Sequence, residues 1–205
     1  MKKYLALLLA LVMSLSLFAC GKKEGDDNKD KDKTKYKVAM ITDYGDITDQ
    51  SFNQTTYEAC QEFCDAEGLQ FEYYKPAGDS TAERVAMVDA AVADGYNVIV
   101  MPGYAFGGAI VEAAPQHKDV KFIALDVAKG DLLEAGVAKA GEKYDYTPDN
   151  WELEKYVDMS NVYCAIYKEE LCGYMAGYAA VKLGYKHLGV LGGMAVPAVQ
   201  RFGYG

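Results

Sequence analysis

The tightest constraint on this chain is a series of short segments built on an unbroken apolar run, each followed by a stretch with helical period. "KVAMIT", "NVIVMPG" and "VKFIALD" show no alternation of apolar and polar residues. A strand with one wet face alternates; an unbroken apolar strand needs cover on both faces, as in a parallel sheet between helices. Between these strands lie a helix expected from Phe52 to Glu67 and stopped by Gly68, the strand "LQFEYYK", and the helix "TAERVAMVDAAVAD" stopped by Gly95. "GGAIVEAA" reads as a short helix that Pro115 limits. Strands that return about every 25 residues with helices between them are βαβ units, so the fold class is α/β with a parallel sheet flanked by helices. Ser51–Gln54 and Ser80–Glu83 each read as a capping box at a helix start.

The segment 128–160 breaks this rhythm. It is charged, holds Pro148 and the only tryptophan, and reads as an irregular surface insertion. Then "NVYCAIYK" (161–168) reads as a strand, 169–184 as a helix and "HLGVLGG" (187–193) as a strand, with another helix from Pro197, a favoured first-turn residue. Gly173, Ala176, Gly177 and Ala180 fall on one helix face and predict close backbone packing. The expected layout is an N-terminal α/β lobe over 36–165 and the start of a second lobe over 166–205. A unit of about 40 residues seldom sustains its own core, so that second lobe is expected to be incomplete.

Ahead of the lobe, "MKK" followed by "YLALLLALVMSLSLFAC" reads as a secretory signal over residues 1–20, with Cys20 the residue expected to be acylated. Residues 21–35, "GKKEGDDNKDKDKTK", contain nothing to bury and read as a disordered tether. No later segment is long and apolar enough to span a bilayer, so the expectation is an exported body anchored to the cell membrane by lipid. The net charge of −9 argues against nucleic acid as a partner. Cys60, Cys64, Cys164 and Cys172 sit at core-like spacings and read as small buried residues. With His117 and His187 far apart in sequence, neither a metal site nor a cofactor is expected.

In an open parallel sheet, ligands bind beyond the carboxyl ends of the strands, where the strand order reverses. Here those ends carry Asp43, followed by Phe52 and Asn53; "PGYAFGG"; Asp126; "KEE"; and "LGG". A helix N-terminus normally invites an anion, but carboxylates line this turn and repel phosphate. The expected ligand is neutral or cationic, rich in donors, with a flat face for Phe52, Tyr104 or Phe106; nucleosides and sugars fit, nucleotides do not. An enzyme is disfavoured, since there is no Gly-x-Ser-x-Gly elbow and no histidine beside a plausible nucleophile. Asp43, Asp46 and Asp49 lack the dense oxygen ligation that calcium wants.

These residues also carry a resemblance. "VAMITDYGDITDQSFNQTTYEA" is similar to the opening of the basic membrane protein (BMP) family of ABC-transporter substrate-binding lipoproteins. "VIVMPGYAFGGAI", "KFIALD", "YKEELCGYMAGYAA" and "HLGVLGGMAVPAVQRFGYG" follow in the family's order. The resemblance implies a periplasmic-binding-protein type I-like fold of two lobes. It implies capture of a purine nucleoside and delivery to ABC permease and ATPase subunits. It also implies that Phe52 stacks on the base, Asn53 and Asp43 hydrogen-bond the ligand, and Asp126 accepts from ribose hydroxyls, with Phe106, Gly193 and Phe202 completing the pocket. A sensor of the same fold and a sugar binder are the alternatives. Two departures from the family pattern are "YG" in place of a glycine pair after Asp43 and the long 128–160 segment.

Overall fold

The computed structural model describes residues 35–205; the signal segment, Cys20 and the tether through residue 34 lie outside the described residues. Five parallel strands, β1 (Lys37–Ile41), β2 (Gln70–Tyr74), β3 (Val98–Pro102), β4 (Lys121–Leu125) and β5 (Val162–Ala165), form one sheet in the order β2-β1-β3-β4-β5. The helices between them are α1 (Phe52–Glu67), α2 (Thr81–Ala93), α3 (Gly107–Ala113) and α4 (Lys129–Lys139). The order reverses between β1 and β3, so the carboxyl ends of these two strands flank the switch point.

Successive residues of each strand serve opposite faces. Ala39, Ile41, Ile99, Met101, Phe122 and Ala124 join Val88 and Ala91 of α2, Ala109 and Ile110 of α3 and Leu132 of α4 in the main core. Val38 and Val100 face the other way and pack with Cys64 of α1. Among the described residues, α1 packs on that second face. Beside it, Val98, Val100, Ile123 and Leu125 floor an apolar groove of about 350 Å³ walled by Phe52, Phe63 and Tyr167.

The helix stops fall where expected. Gly68 takes the left-handed conformation after α1 with φ 68°, and Gly95 does so after α2 with φ 88°. The starts differ from each other. Ser80 caps α2, its hydroxyl accepting from the Glu83 N–H at 3.2 Å. Ser51 makes no side-chain cap to α1. Asp49 does that work: its carboxylate accepts from the backbone N–H of Ser51 at 2.8 Å, of Asn53 at 3.3 Å and of Gln54 at 3.1 Å. A carboxylate reaches more orphan donors than a hydroxyl and also suits the positive end of the helix.

Residues 128–160 are more ordered than their composition suggests. They contain α4, which buries Leu132, Leu133, Gly136 and Val137 and forms the crossover between β4 and β5. Beyond α4, Tyr144, Trp151 and Tyr156 stack edge to face at 5.7 and 5.5 Å and pack with Leu133 and Val137 as a small core of their own. Two glycines and several charges hide the period of α4 in sequence. Gly136 is required there, since a Cβ would come within 3.0 Å of Tyr156 and Val157.

The expected strand over 187–193 does not form; those residues are irregular, with Leu191 fully exposed. None of the five strands pairs with it, and an unpaired strand leaves its backbone groups to water. The chain ends in α5 (Glu169–Lys182) and α6 (Pro197–Tyr204). Their contact is close at Gly173, where a Cβ would lie 1.9 Å from the Phe202 carbonyl, whereas Gly177 has open space beside it. Only one position of the small-residue stripe is therefore used. Of the four cysteines expected to be buried, Cys64 is buried and Cys60 and Cys164 are half-buried, while Cys172 is exposed because α5 turns most of its surface outward.

The caps give a direct comparison. Asp49→Ala and Ser80→Ala should each lower stability by roughly 1–2 kcal/mol, read from urea denaturation midpoints, while Ser51→Ala should change it little. Equal losses at Ser51 and Asp49 would contradict the assignment.

Candidate functional site

The turn after β1 holds three aspartates with three separate tasks. Asp46 faces outward, pairs with Lys75 at 2.7 Å and accepts from the Thr48 hydroxyl at 2.9 Å, which ties the loop to the end of β2. The Lys75 hydrogen bond, then that of Thr48, holds its carboxyl below the ordinary range. Asp49 caps α1; burial pushes its carboxyl up, but hydrogen bonds from Asn53, Gln54 and Ser51 outweigh this and leave it lowered.

Asp43 forms the third part. Its Oδ1 accepts from the backbone N–H groups of Tyr44 and Gly45, both at 2.6 Å, and from Asn53 Nδ2 at 2.9 Å. The Asp43 backbone N–H donates in return to Asn53 Oδ1 at 3.2 Å. Asn53 also donates through Nδ2 to Asp49 at 2.9 Å and is only 4% exposed. Both donors of its amide are thereby committed inside the protein. Asn53 braces the two aspartates and has no donor left for a ligand, which differs from the contact expected of it. Asp43 Oδ2 carries no hydrogen bond among the described residues and lies 4.0 Å from the position a Cβ would take at Gly103. Gly103 has φ 121°, a conformation reserved for glycine, and its N–H donates to the Leu125 carbonyl at 2.8 Å. The end of β3 thus lies against Asp43 on one side and the end of β4 on the other.

Asp126 follows β4 with φ 58°, an uncommon left-handed setting that aspartate tolerates. Its N–H donates to the Ala165 carbonyl at 2.7 Å. Its Oδ1 lies 3.6 Å from Nη2 of Arg201, whose Nε donates to Glu169 at 2.7 Å. Burial raises the Asp126 carboxyl, Glu169 raises it further and Arg201 opposes both. Arg201 is a participant the sequence did not point to: a single arginine on a short helix has no spacing signal that ties it to an aspartate 75 positions earlier.

The aromatic residues separate. Phe106 is fully buried in the main core, with the Arg84 guanidinium over its ring at 5.7 Å, so it is not a pocket ring as expected. The short 3-10 turn Tyr104–Phe106 points one ring inward and leaves the other outward. The outward one is Tyr104, whose hydroxyl meets the Met194 sulfur at 3.0 Å. Phe52 opens α1 half-buried and sits edge-on to Tyr167 at 6.1 Å. Gly193 has open space around it, and Phe202 is 39% exposed and lines neither cleft described here.

A second cleft, of about 510 Å³, runs from Tyr104 past the start of α4 to Arg201, with Tyr144, Tyr146 and Met194 in its walls. Asp131 lies in this cleft and accepts from the Ala128 N–H at 2.7 Å, yet burial pushes its carboxyl up to about 6. No group of histidine, cysteine and carboxylate side chains able to hold a metal ion occurs among the described residues.

The folded chain holds the Asp131 proton more tightly than an unfolded chain, where an aspartate titrates near 3.9. The stability linked to it is complete below about pH 4 and is lost as pH rises through about 6. Asp131→Asn keeps the acceptor for Ala128 without the charge. The melting temperature of this variant should therefore gain on the parent between pH 4 and pH 7, and a constant difference would exclude Asp131 as the group responsible.

Comparison with known proteins gives a consistent set of likenesses. Residues 36–205 match the family model Bmp, described as ABC transporter substrate-binding protein PnrA-like. A CD4+ T-cell-stimulating antigen of Listeria innocua is 35% identical over 132 residues, 60% of this chain and 36% of that protein. The ABC transporter nucleoside-binding protein BmpA of Lactococcus lactis is 24% identical over 199 residues, covering 95% of this chain and 48% of that protein. The chain thus spans less than half the length of these curated relatives. An ABC transporter solute-binding protein from Aeropyrum pernix has the same fold, with a TM-score of 0.54 at 23% identity over 82% of this chain and 41% of its own.

Proposed function

Since this chain belongs to the Bmp family of PnrA-like ABC transporter substrate-binding proteins, we propose that it captures a purine nucleoside at the carboxyl edge of its sheet. The observation that carries this reading is Asp43. Its Oδ1 is held by two backbone N–H groups and Asn53, while Oδ2 stands unpaired at the β1/β3 switch point. A fixed acceptor of this kind suits an uncharged ligand with N–H or O–H donors and disfavours phosphate.

Phe52 offers a ring at the same edge for the base, and Tyr104 offers a second on the far side of β3. Asp126, at the end of β4, accepts from the sugar. In this reading the protein makes and breaks no bond, and the captured ligand passes to ABC permease and ATPase subunits. The lactococcal relative described as nucleoside-binding supports the ligand class. A relative from Pyrococcus abyssi described as a lipoprotein supports anchoring through Cys20 outside the cytoplasm.

Titration calorimetry of the full-length protein with guanosine, adenosine, their free bases, ribose and the 5′-monophosphates tests the reading. Nucleosides should bind and monophosphates should bind far more weakly. Phe52→Ala should weaken nucleoside binding by roughly 1–3 kcal/mol, the usual worth of a stacked base. Phe106→Leu, a change inside the core, should leave affinity nearly unaltered. Monophosphates binding as well as nucleosides, or an unchanged dissociation constant for Phe52→Ala, would remove this assignment.

A further inference from the structure

Arg201 reaches from α6 to the acceptor expected to meet the sugar, and its surroundings are incomplete. Its Nε is satisfied by Glu169 at 2.7 Å, but Nη2 is shut away from solvent without a hydrogen-bond partner. The nearest carboxylate oxygen to Nη2, Asp126 Oδ1, stands at 3.6 Å, beyond hydrogen-bond range. A buried donor without a partner is costly, and native structures retain few of them. Glu170 Oε2, also buried beside this cluster, lacks a partner too.

We propose that Asp126 and Arg201 together read one hydroxyl of the ligand's sugar, which makes Arg201 a specificity-determining residue; this rests on the nucleoside reading above. Ionised aspartate only accepts and arginine only donates, whereas a hydroxyl does both. An oxygen about 2.8 Å from each of two atoms 3.6 Å apart closes an isosceles triangle, so one atom can reach both partners. It would accept from Nη2 and donate to Oδ1, satisfying the orphaned donor and the aspartate at once. The guanidinium is held by a hydrogen bond through Nε, and Arg201 lines the cleft beside Tyr104 and Asp131. A ligand with hydrogen in place of that hydroxyl fills neither role. It leaves Nη2 of Arg201 without a hydrogen-bond partner, and sites built to hydrogen-bond a hydroxyl discriminate strongly against ligands that lack it.

Calorimetry of the full-length protein with guanosine, 2′-deoxyguanosine, 3′-deoxyguanosine and guanine tests this. One deoxynucleoside should bind roughly 10- to 100-fold more weakly than guanosine, as expected for a hydrogen bond to charged partners. In Arg201→Lys, which keeps the charge and the short link to Glu169 but has no Nη2, that penalty should collapse while guanine affinity holds. Arg201→Met should behave alike. Deoxynucleosides binding as tightly as guanosine, or a penalty that survives in both variants, overturns the role of Arg201 and leaves the nucleoside reading standing. If neither guanosine nor guanine binds the parent, the nucleoside reading itself fails and the inference falls with it.

Discussion

The reciprocal hydrogen bonds between Asp43 and Asn53 set the turn after β1, on which the candidate site is built. One amide side chain joins the strand end to the first turn of α1, and the same amide holds Asp49, which caps that helix. Strand, loop and helix are thereby locked into one unit with two carboxylates close together. Each carboxylate accepts from backbone N–H groups, Asp43 from Tyr44 and Gly45, and Asp49 from Ser51, Asn53 and Gln54. The spacing leaves no room for a side chain at Gly45, where a Cβ would meet Asn53 Nδ2 at 2.5 Å. Of the two positions where the family pattern has glycines, the one that must be glycine is retained, and the other, Tyr44, is exposed.

The architecture was legible because it depends on burial, and burial leaves a pattern. "VAMI" and "VIVM" are unbroken apolar runs because β1 and β3 lie at the centre of the sheet, and Gly68 and Gly95 mark helix ends through a backbone conformation only glycine adopts cheaply. What stayed hidden depended on direction rather than composition. The turn "YAF" contains two aromatic rings, and only its 3-10 geometry decides that Phe106 enters the core and Tyr104 faces the cleft. Ser51 and Asp49 are equally good cap residues on paper; the loop path selects the carboxylate. The helix α4 was masked by Gly136, whose reason for being glycine is a contact with Tyr156 twenty residues later.

The candidate site divides along the same line. The carboxylates at the ends of β1 and β4 follow from topology, because any residue just after a parallel strand arrives at that edge. Their environment does not. Arg201 comes from the far end of the chain, and its pairing with Glu169 and approach to Asp126 rest on how α6 packs against α5 at Gly173. A strand over 187–193 is equally well founded in sequence, yet strand formation is a two-body event and none of the strands among the described residues pairs with it.

The commitment of the Asn53 amide has a chemical corollary. Hydrolysis of that amide to a carboxylate would set a third negative group against two others now 2.9 Å from its nitrogen. Like charges at that separation repel, and the two hydrogen bonds that Nδ2 now donates would be lost with the amide. Ageing of this one side chain would thus loosen the join between β1 and α1 while the buried sheet behind it persisted.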